Sequence, residues 1–200
     1  MAAQIISLYE RNAYTWDALR NRRYHLFERA WLDRFLALLP AQAAILDIGC
    51  GSAQPIAEYV VQQGHHVTGV DSSATLIGMG RSRFPEHEWL VRDMRTLNLG
   101  RTFGGLIAWD SFFHLCPDDQ RRMFPVFRAH AGNRAALLFT GGPRAGEVYG
   151  EFCGEPLYHG SLDPEEYRSL LEDNGFDVVA YVPEDPTCGE HTVWLARLRD

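Results

Sequence analysis

The chain has 200 residues, 46% of them apolar and 22% charged, with a formal net charge of -7 at neutral pH. That length suits one conventional domain around one core, and the makeup is that of a soluble globular protein rather than a disordered or fibrous one. An acidic balance argues against a protein whose main task is neutralising phosphates, so small-molecule partners are expected and nucleic acid is not.

Arg20, Arg22 and Arg23 form a short cluster beside an aromatic-rich segment, read equally well as solvated helix surface or as a grip on an anionic substrate group. Cys50, Cys116, Cys153 and Cys188 have no C-x-x-C spacing and no nearby histidine pair, so neither a metal site nor a disulfide framework is indicated, and a reducing cytosol fits. The start MAAQIISLYERNAY lacks signal-peptide features, and no apolar run approaches the roughly 18 residues of a membrane span. The expectation is a cytoplasmic protein without a membrane partner, either monomer or homodimer.

From Tyr24 to Leu39, Phe27, Trp31, Phe35 and Leu38 recur at spacings of three and four, predicting one face of a helix stopped by Pro40. Residues 45–48 read as a short apolar strand, and Pro55 and Gly64 bracket a helix that turns Ile56, Tyr59 and Val60 inward. HVTGVD is the next strand, Ser72 and Ser73 cap the next helix, and HEWLVRD is the third strand. FGGLIAWD gives a fourth strand, PDDQRRMFPVFRAHAG a helix kinked at Pro125, and RAALLFTGG a fifth strand.

Residues 141–161, GGPRAGEVYGEFCGEPLYHGS, read as a long irregular insertion rich in aromatics, either functional or a surface loop filling a local gap. LDPEEYRSLLEDNGF is a helix with capping-box spacing at Asp163 and Glu166 and a stop at Gly175. DVVAYV and HTVWLARL follow, too close for a crossover helix, so the last strand pairs antiparallel. The predicted fold is α/β, a Rossmann-like doubly wound sheet of seven mostly parallel strands with an antiparallel last strand.

The turn ILDIGCGSAQP places Gly49 and Gly51 where a strand gives way to a helix, so a ligand can approach the backbone. A dinucleotide fingerprint would need a third glycine at Gln54, which disfavours a nicotinamide cofactor. No P-loop sequence occurs. Asp71, ending the second strand, is placed to accept hydrogen bonds from vicinal ribose hydroxyls, which implies a nucleoside.

Through LDIGCGSA, VTGVDSS, VRDM and IAWDSFFHL, in that order, the chain resembles the class I S-adenosylmethionine-dependent methyltransferases. The departure is Ala53, where the family usually has a third glycine. The resemblance implies S-adenosylmethionine as cofactor, with Asp47, Gly49, Cys50 and Gly51 around its methionine part. Asp71, with Ser72, would hold the ribose, Asp93 and Met94 would frame the adenine, and Trp109 and Asp110 would meet the amino-acid end and face the substrate. It also implies a single domain over 1–200, with an N-terminal helical lid in 1–40 and the Rossmann-like core in 41–200.

His114, just beyond the fourth strand, is the best base candidate, and Tyr14 on the lid is a second catalytic candidate. His159 and His191 are weaker, and His65, His66 and His87 read as structural. Expected substrate walls are Tyr9, Trp16, Asp110, Phe112, Tyr149, Tyr158 and His159. The leading expectation is methyl transfer to a small molecule, without a metal. Two alternatives stay open: cyclisation or aminocarboxypropyl transfer releasing methylthioadenosine, and a non-catalytic module that binds the methyl donor.

Overall fold

A computed structural model describes residues 2–21 and 26–200. Two short helices, α1 (Ala2–Arg11) and α2 (Ala13–Asn21), precede α3 (Arg29–Leu36), which buries Trp31, Leu32 and Phe35. The expected helix from Tyr24 is thus shorter at its start; Phe27 precedes it, and Tyr24, Arg22 and Arg23 lie outside the described residues.

Strands and helices then alternate: β1 (Ala44–Ile48), α4 (Ile56–Gln62), β2 (His66–Asp71), α5 (Ala74–Arg83), β3 (Glu88–Val91), β4 (Phe103–Ala108), α6 (Pro117–His130) and β5 (Ala131–Gly141). The capping signals act locally as expected. Ser73 accepts a hydrogen bond from Leu76 N at 3.1 Å, while Gly64 and Gly175 take φ of +84° and +83° just past their helices. Helix α6 runs through Pro125 without interruption.

The segment read as irregular is a hairpin, β6 (Gly146–Phe152) with β7 (Glu155–Ser161), paired antiparallel. Its turn, Cys153 and Gly154, has positive φ at both residues, as a tight hairpin turn requires. After it come α7 (Pro164–Asp173), β8 (Phe176–Asp185) and β9 (His191–Leu198). Asp163 caps α7 by accepting from Glu165 N at 2.9 Å. Glu166 does not complete the capping box; its carboxylate takes Arg121 Nε at 2.6 Å.

The main sheet has seven strands in the order β3-β2-β1-β4-β5-β9-β8. β9 is antiparallel to both β5 and β8 and lies between them. Alternate strand residues point to opposite faces, and both faces are covered. Leu46, Leu106, Leu137 and Trp194 pack with Phe124 and Phe127 of α6 and Tyr167 of α7. Ile45, Ile107, Leu138 and Val193 pack with Trp31 and Phe35 of α3 and Val60 of α4. The strand order reverses between β1 and β4, so the carboxyl ends of β1, β2 and β4 open a crevice there.

A buried polar network fixes the hairpin to this body. Gln120 Nε2 donates to the carbonyls of Leu115 and Gly160 at 2.9 and 2.8 Å. Tyr167 Oη donates to Gln120 Oε1 and accepts from Leu162 N. Gln120 is fully buried, so Gln120→Leu strands several polar groups without water. The expected loss is about 3 kcal/mol of unfolding free energy in urea melts, with the hairpin loosened.

Candidate active site

At the crevice, Gly49 and Gly51 turn the chain with φ of +79° and +55°. The Asp71 carboxylate closes this turn, accepting Gly51 N on Oδ2 at 3.0 Å and Ser73 N on Oδ1 at 2.8 Å. Burial raises its pKa, while the same backbone donors pull it back. The glycines make room for side chains as much as for a ligand. A Cβ on Gly49 would lie 2.2 Å from Ser111 Cβ, and one on Gly51 would lie 2.5 Å from Trp16 Cη2.

Trp16 is above the turn because the N-terminal helices are tied to α5. The Glu10 carboxylate takes Thr75 Oγ1 at 2.7 Å, along with Thr75 N and Ser73 Oγ. Those donors hold its pKa below the usual value. Arg83 grips Asp17 through two nitrogens at 2.6 and 2.7 Å and also reaches the Ser52 carbonyl.

Under this cover lies a cleft. Of the residues expected at a cofactor, Gly49, Gly51, Asp71, Ser72, Asp93 and Met94 line it. The other three do not. Asp47 is buried at the end of β1, Cys50 is buried and directed toward Gly69, and Trp109 is buried in the core on the α3–α4 face. The remaining walls include Arg92 and Leu115, which lie within the quoted motifs without having been singled out, and Ile5, Ile6, Leu76 and Arg95, which lie outside them. Ile5 and Tyr9 are four apart on α1, a helical spacing that could have placed them on one face.

A second chamber is walled by Tyr9, Trp16, Arg20, Asp110, Phe113, His114, His159 and His191. Tyr9, Trp16, Asp110 and His114 also line the cleft, so the two cavities share a wall. Outward, past Phe113, His159 and His191, a wider mouth lies between residues 141–146 and 189–192.

Tyr9 and His114 form a hydrogen-bonded pair on that wall. His114 Nδ1 lies 2.9 Å from the Tyr158 carbonyl, which only accepts, so Nδ1 carries the proton and Nε2 accepts from Tyr9 Oη at 2.9 Å. Burial lowers the His114 pKa to about 4, against the pull of the Tyr158 carbonyl. His159 stacks on His114 at 5.0 Å and is also lowered by burial. Across the chamber, Arg20 is paired with the fully buried carboxylate of Glu28.

Four expected residues are placed elsewhere. Tyr14 is 77% exposed and lines neither cavity, because Ala13 and Trp16 take the inward positions of α2. Phe112 is fully buried among Phe124, Phe127 and Phe139, and its neighbour Phe113 reaches the chamber instead. Tyr149 is 64% exposed and lines neither cavity, its ring lying against that of Tyr158 at 5.5 Å. The Tyr158 ring is buried with its hydroxyl on Glu147, so its contribution is the carbonyl that orients His114. Among the described residues no cluster of His, Cys, Asp and Glu could hold a metal, and no helix is long and apolar enough to cross a membrane.

The strand order and the cleft at its switch point are those of the class I S-adenosylmethionine-dependent methyltransferase fold. Residues 45–131, the stretch carrying the glycine turn, Asp71, Asp93 and Asp110, match the family model described as a methyltransferase domain. A malonyl-[acyl-carrier protein] O-methyltransferase of Pectobacterium atrosepticum is 33% identical over 79 residues, 38% of this chain. The match spans 31% of that relative's length.

Among solved structures, a Burkholderia thailandensis 1,6-didemethyltoxoflavin-N1-methyltransferase, with 1,6-didemethyltoxoflavin and S-adenosylhomocysteine bound, superposes with a TM-score of 0.76 at 20% identity. It covers 100% of this chain and 89% of that one. A SAM-bound amino pentose methyltransferase of Micromonospora echinaspora has a TM-score of 0.72 at 18% identity, covering 92% and 96%. These likenesses establish the fold.

Two site residues carry predictions. Burial, then the Asp71 charge, raises the Asp47 pKa from 3.8 to about 7. The folded protein keeps that proton while the unfolded chain releases it, so this contribution is complete below pH 4 and lost as pH rises toward 7. In ligand-free Asp47→Asn the stability decline across this window flattens, by up to about 4 kcal/mol, in denaturant melts recorded against pH.

Ala53 has φ of +69° and is 1% exposed, packed in the core and absent from the cleft wall. Its methyl group therefore does not reach the cleft. Ala53→Gly relieves backbone strain of about 1 kcal/mol but removes a buried methyl of similar worth. Affinity for S-adenosylmethionine should therefore change less than about twofold in calorimetry, since no wall atom is lost; a tenfold gain would show that the methyl intrudes.

Proposed function

We propose that the protein transfers the methyl group of S-adenosylmethionine to a small molecule held in the second chamber. The carrying observation is the shared wall: Tyr9, Trp16, Asp110 and His114 face both the cleft and the chamber. A donor in one cavity and an acceptor in the other would meet there.

The cleft's donor set suits this methyl donor. Asp71 has lone pairs left after its two backbone bonds, and Ile5, Ile6, Leu76 and Met94 supply apolar flanks for a base. Asp110 and the rings of Tyr9 and Trp16 suit a cation. When bound, the sulfonium supplies an electrophilic methyl group with a good leaving group attached.

The protein's part is then alignment, which in favourable intramolecular systems contributes roughly 7 to 11 kcal/mol. The N-terminal helices act as a lid that excludes water and brings Tyr9 and Trp16 to the wall. His114 is neutral and committed to Tyr9, so it orients that hydroxyl rather than removing a proton from the acceptor. A small acceptor is favoured because the chamber is ring-lined and its one arginine, Arg20, is held by Glu28. The two bacterial structures named above act on an amino sugar and a heterocycle, in keeping with this reading.

Calorimetry should show binding of S-adenosylmethionine and S-adenosylhomocysteine but not NAD. Trp16→Ala, which uncovers the glycine turn, should weaken donor binding about tenfold or more, as expected for losing a buried aromatic contact. Mass spectrometry of turnover mixtures should find S-adenosylhomocysteine; methylthioadenosine in its place would sink the methyl-transfer reading.

A further inference from the structure

We propose that His191 is a positioning residue that fixes Asp110 as a charged hydrogen-bond acceptor on the shared wall, and that the methyl acceptor presents an N–H or O–H group to that carboxylate. This rests on the methyl-transfer reading and names the chemistry of its acceptor.

His191 opens β9 and is remote in sequence from the glycine turn and β4. Its Nε2 lies 2.8 Å from Asp110 Oδ1 and its Nδ1 lies 2.7 Å from the Cys188 carbonyl. Both partners only accept, so a ring that satisfies both donates from both nitrogens as an imidazolium. Its faces are covered by Trp109, stacked at 5.5 Å, and Phe27, tilted at 5.4 Å. Aromatic faces stabilise such a cation.

The charges around the ring agree. Burial works against a charged imidazole, but the Asp110 bond and charge, the Cys188 carbonyl and the Glu28 carboxylate outweigh it, so the His191 pKa is raised. Arg20 is held by Glu28, His114 and His159 are lowered by burial, and Glu184 and Glu190 stand with His191 around the outer mouth.

Asp110 is equally constrained. Its N–H is bonded to Thr140 Oγ1 at 3.0 Å, and its backbone is held at φ of +48°. Such strain persists only where surrounding contacts over-determine it, and it clusters at functional sites. With Oδ1 on His191, Oδ2 takes no hydrogen bond among the described residues, and the residue faces both cavities.

A carboxylate or thiolate acceptor would meet like charge at Oδ2. An amine, phenol or N–H heterocycle would donate to it and leave a lone pair for reaction. That lone pair forms the bond to the methyl carbon, the carbon–sulfur bond breaks with its electron pair on sulfur, and the acceptor's proton leaves through Oδ2 to solvent.

The test has two arms on the full chain. Histidine Cε1–Hε1 resonances are titrated by NMR in wild type and Asp110→Asn, with His191→Gln giving the assignment. His191 should titrate above the ordinary 6.5 and lose about tenfold or more in proton affinity in Asp110→Asn. In the second arm, S-adenosylhomocysteine release is measured with amines, phenols and N–H heterocycles, against carboxylates and thiolates.

Turnover should be confined to the first group. His191→Gln, which still donates to Asp110, should keep most of kcat, and His191→Leu should lose about tenfold or more. Turnover confined to carboxylates or thiolates, or a His191 titration indifferent to Asp110→Asn, overturns the proposal. Donor binding without release from any acceptor overturns the methyl-transfer reading instead, and the titration still decides the His191–Asp110 pairing.

Discussion

The Asp71 carboxylate is the constraint on which the crevice depends. By accepting Gly51 N and Ser73 N together, it locks the β1–α4 turn to the β2–α5 turn. Each turn then carries part of the cover: Gly51 lies under Trp16, and Ser73 and Thr75 receive Glu10. A charge-assisted acceptor shared by two backbone donors is stiff, so the floor of the cleft and the docking site of the N-terminal helices are set by one group. Burial makes that charge costly, and the backbone donors are what keep it tolerable.

A second regularity is that partly buried charges of the chamber and of the helical cover come in compensated pairs. Arg83 meets Asp17, Arg20 meets Glu28, and His191 meets Asp110. The two remaining histidines of the chamber, His114 and His159, are driven toward the neutral form. A chamber arranged this way attracts neither strong anions nor strong cations over distance. Selection would act instead through ring stacking and directed hydrogen bonds, interactions that discriminate by shape and by the position of a donor.

Much of the sheet could be read from the chain because both its faces are covered, leaving continuous apolar runs between glycine and proline signals in β1, β2, β4 and β5. The hairpin escaped notice because β6 is exposed along nearly its whole length and shows no apolar alternation; the Cys153–Gly154 turn was its one local signal. At the site, residues fixed by the strand-end turns were legible, including Gly49, Asp71 and Asp110. Those set by helix rotation were not, since one position on α2 separates exposed Tyr14 from inward Ala13, and one position after β4 separates buried Phe112 from Phe113. The His191–Asp110 contact was not legible because the two residues are 81 apart, and no local pattern marks such a contact.

The Tyr9–His114 pair shows why a histidine in the expected place need not be the expected base. The sulfonium leaving group removes the need for strong nucleophile activation, so the site can be dry, and dryness drives the His114 pKa down to about 4. The same burial fixes its tautomer through the Tyr158 carbonyl, which leaves Nε2 as the acceptor for Tyr9. The hairpin therefore acts on the shared wall through a main-chain carbonyl: it orients an imidazole, which orients a hydroxyl arriving from α1. Docking of the N-terminal helices and placement of the hairpin are coupled through this ring, together with the Tyr9–Phe152 stack at 5.7 Å and the Arg11–Glu155 ion pair at 2.6 Å, and loosening either should disturb the other.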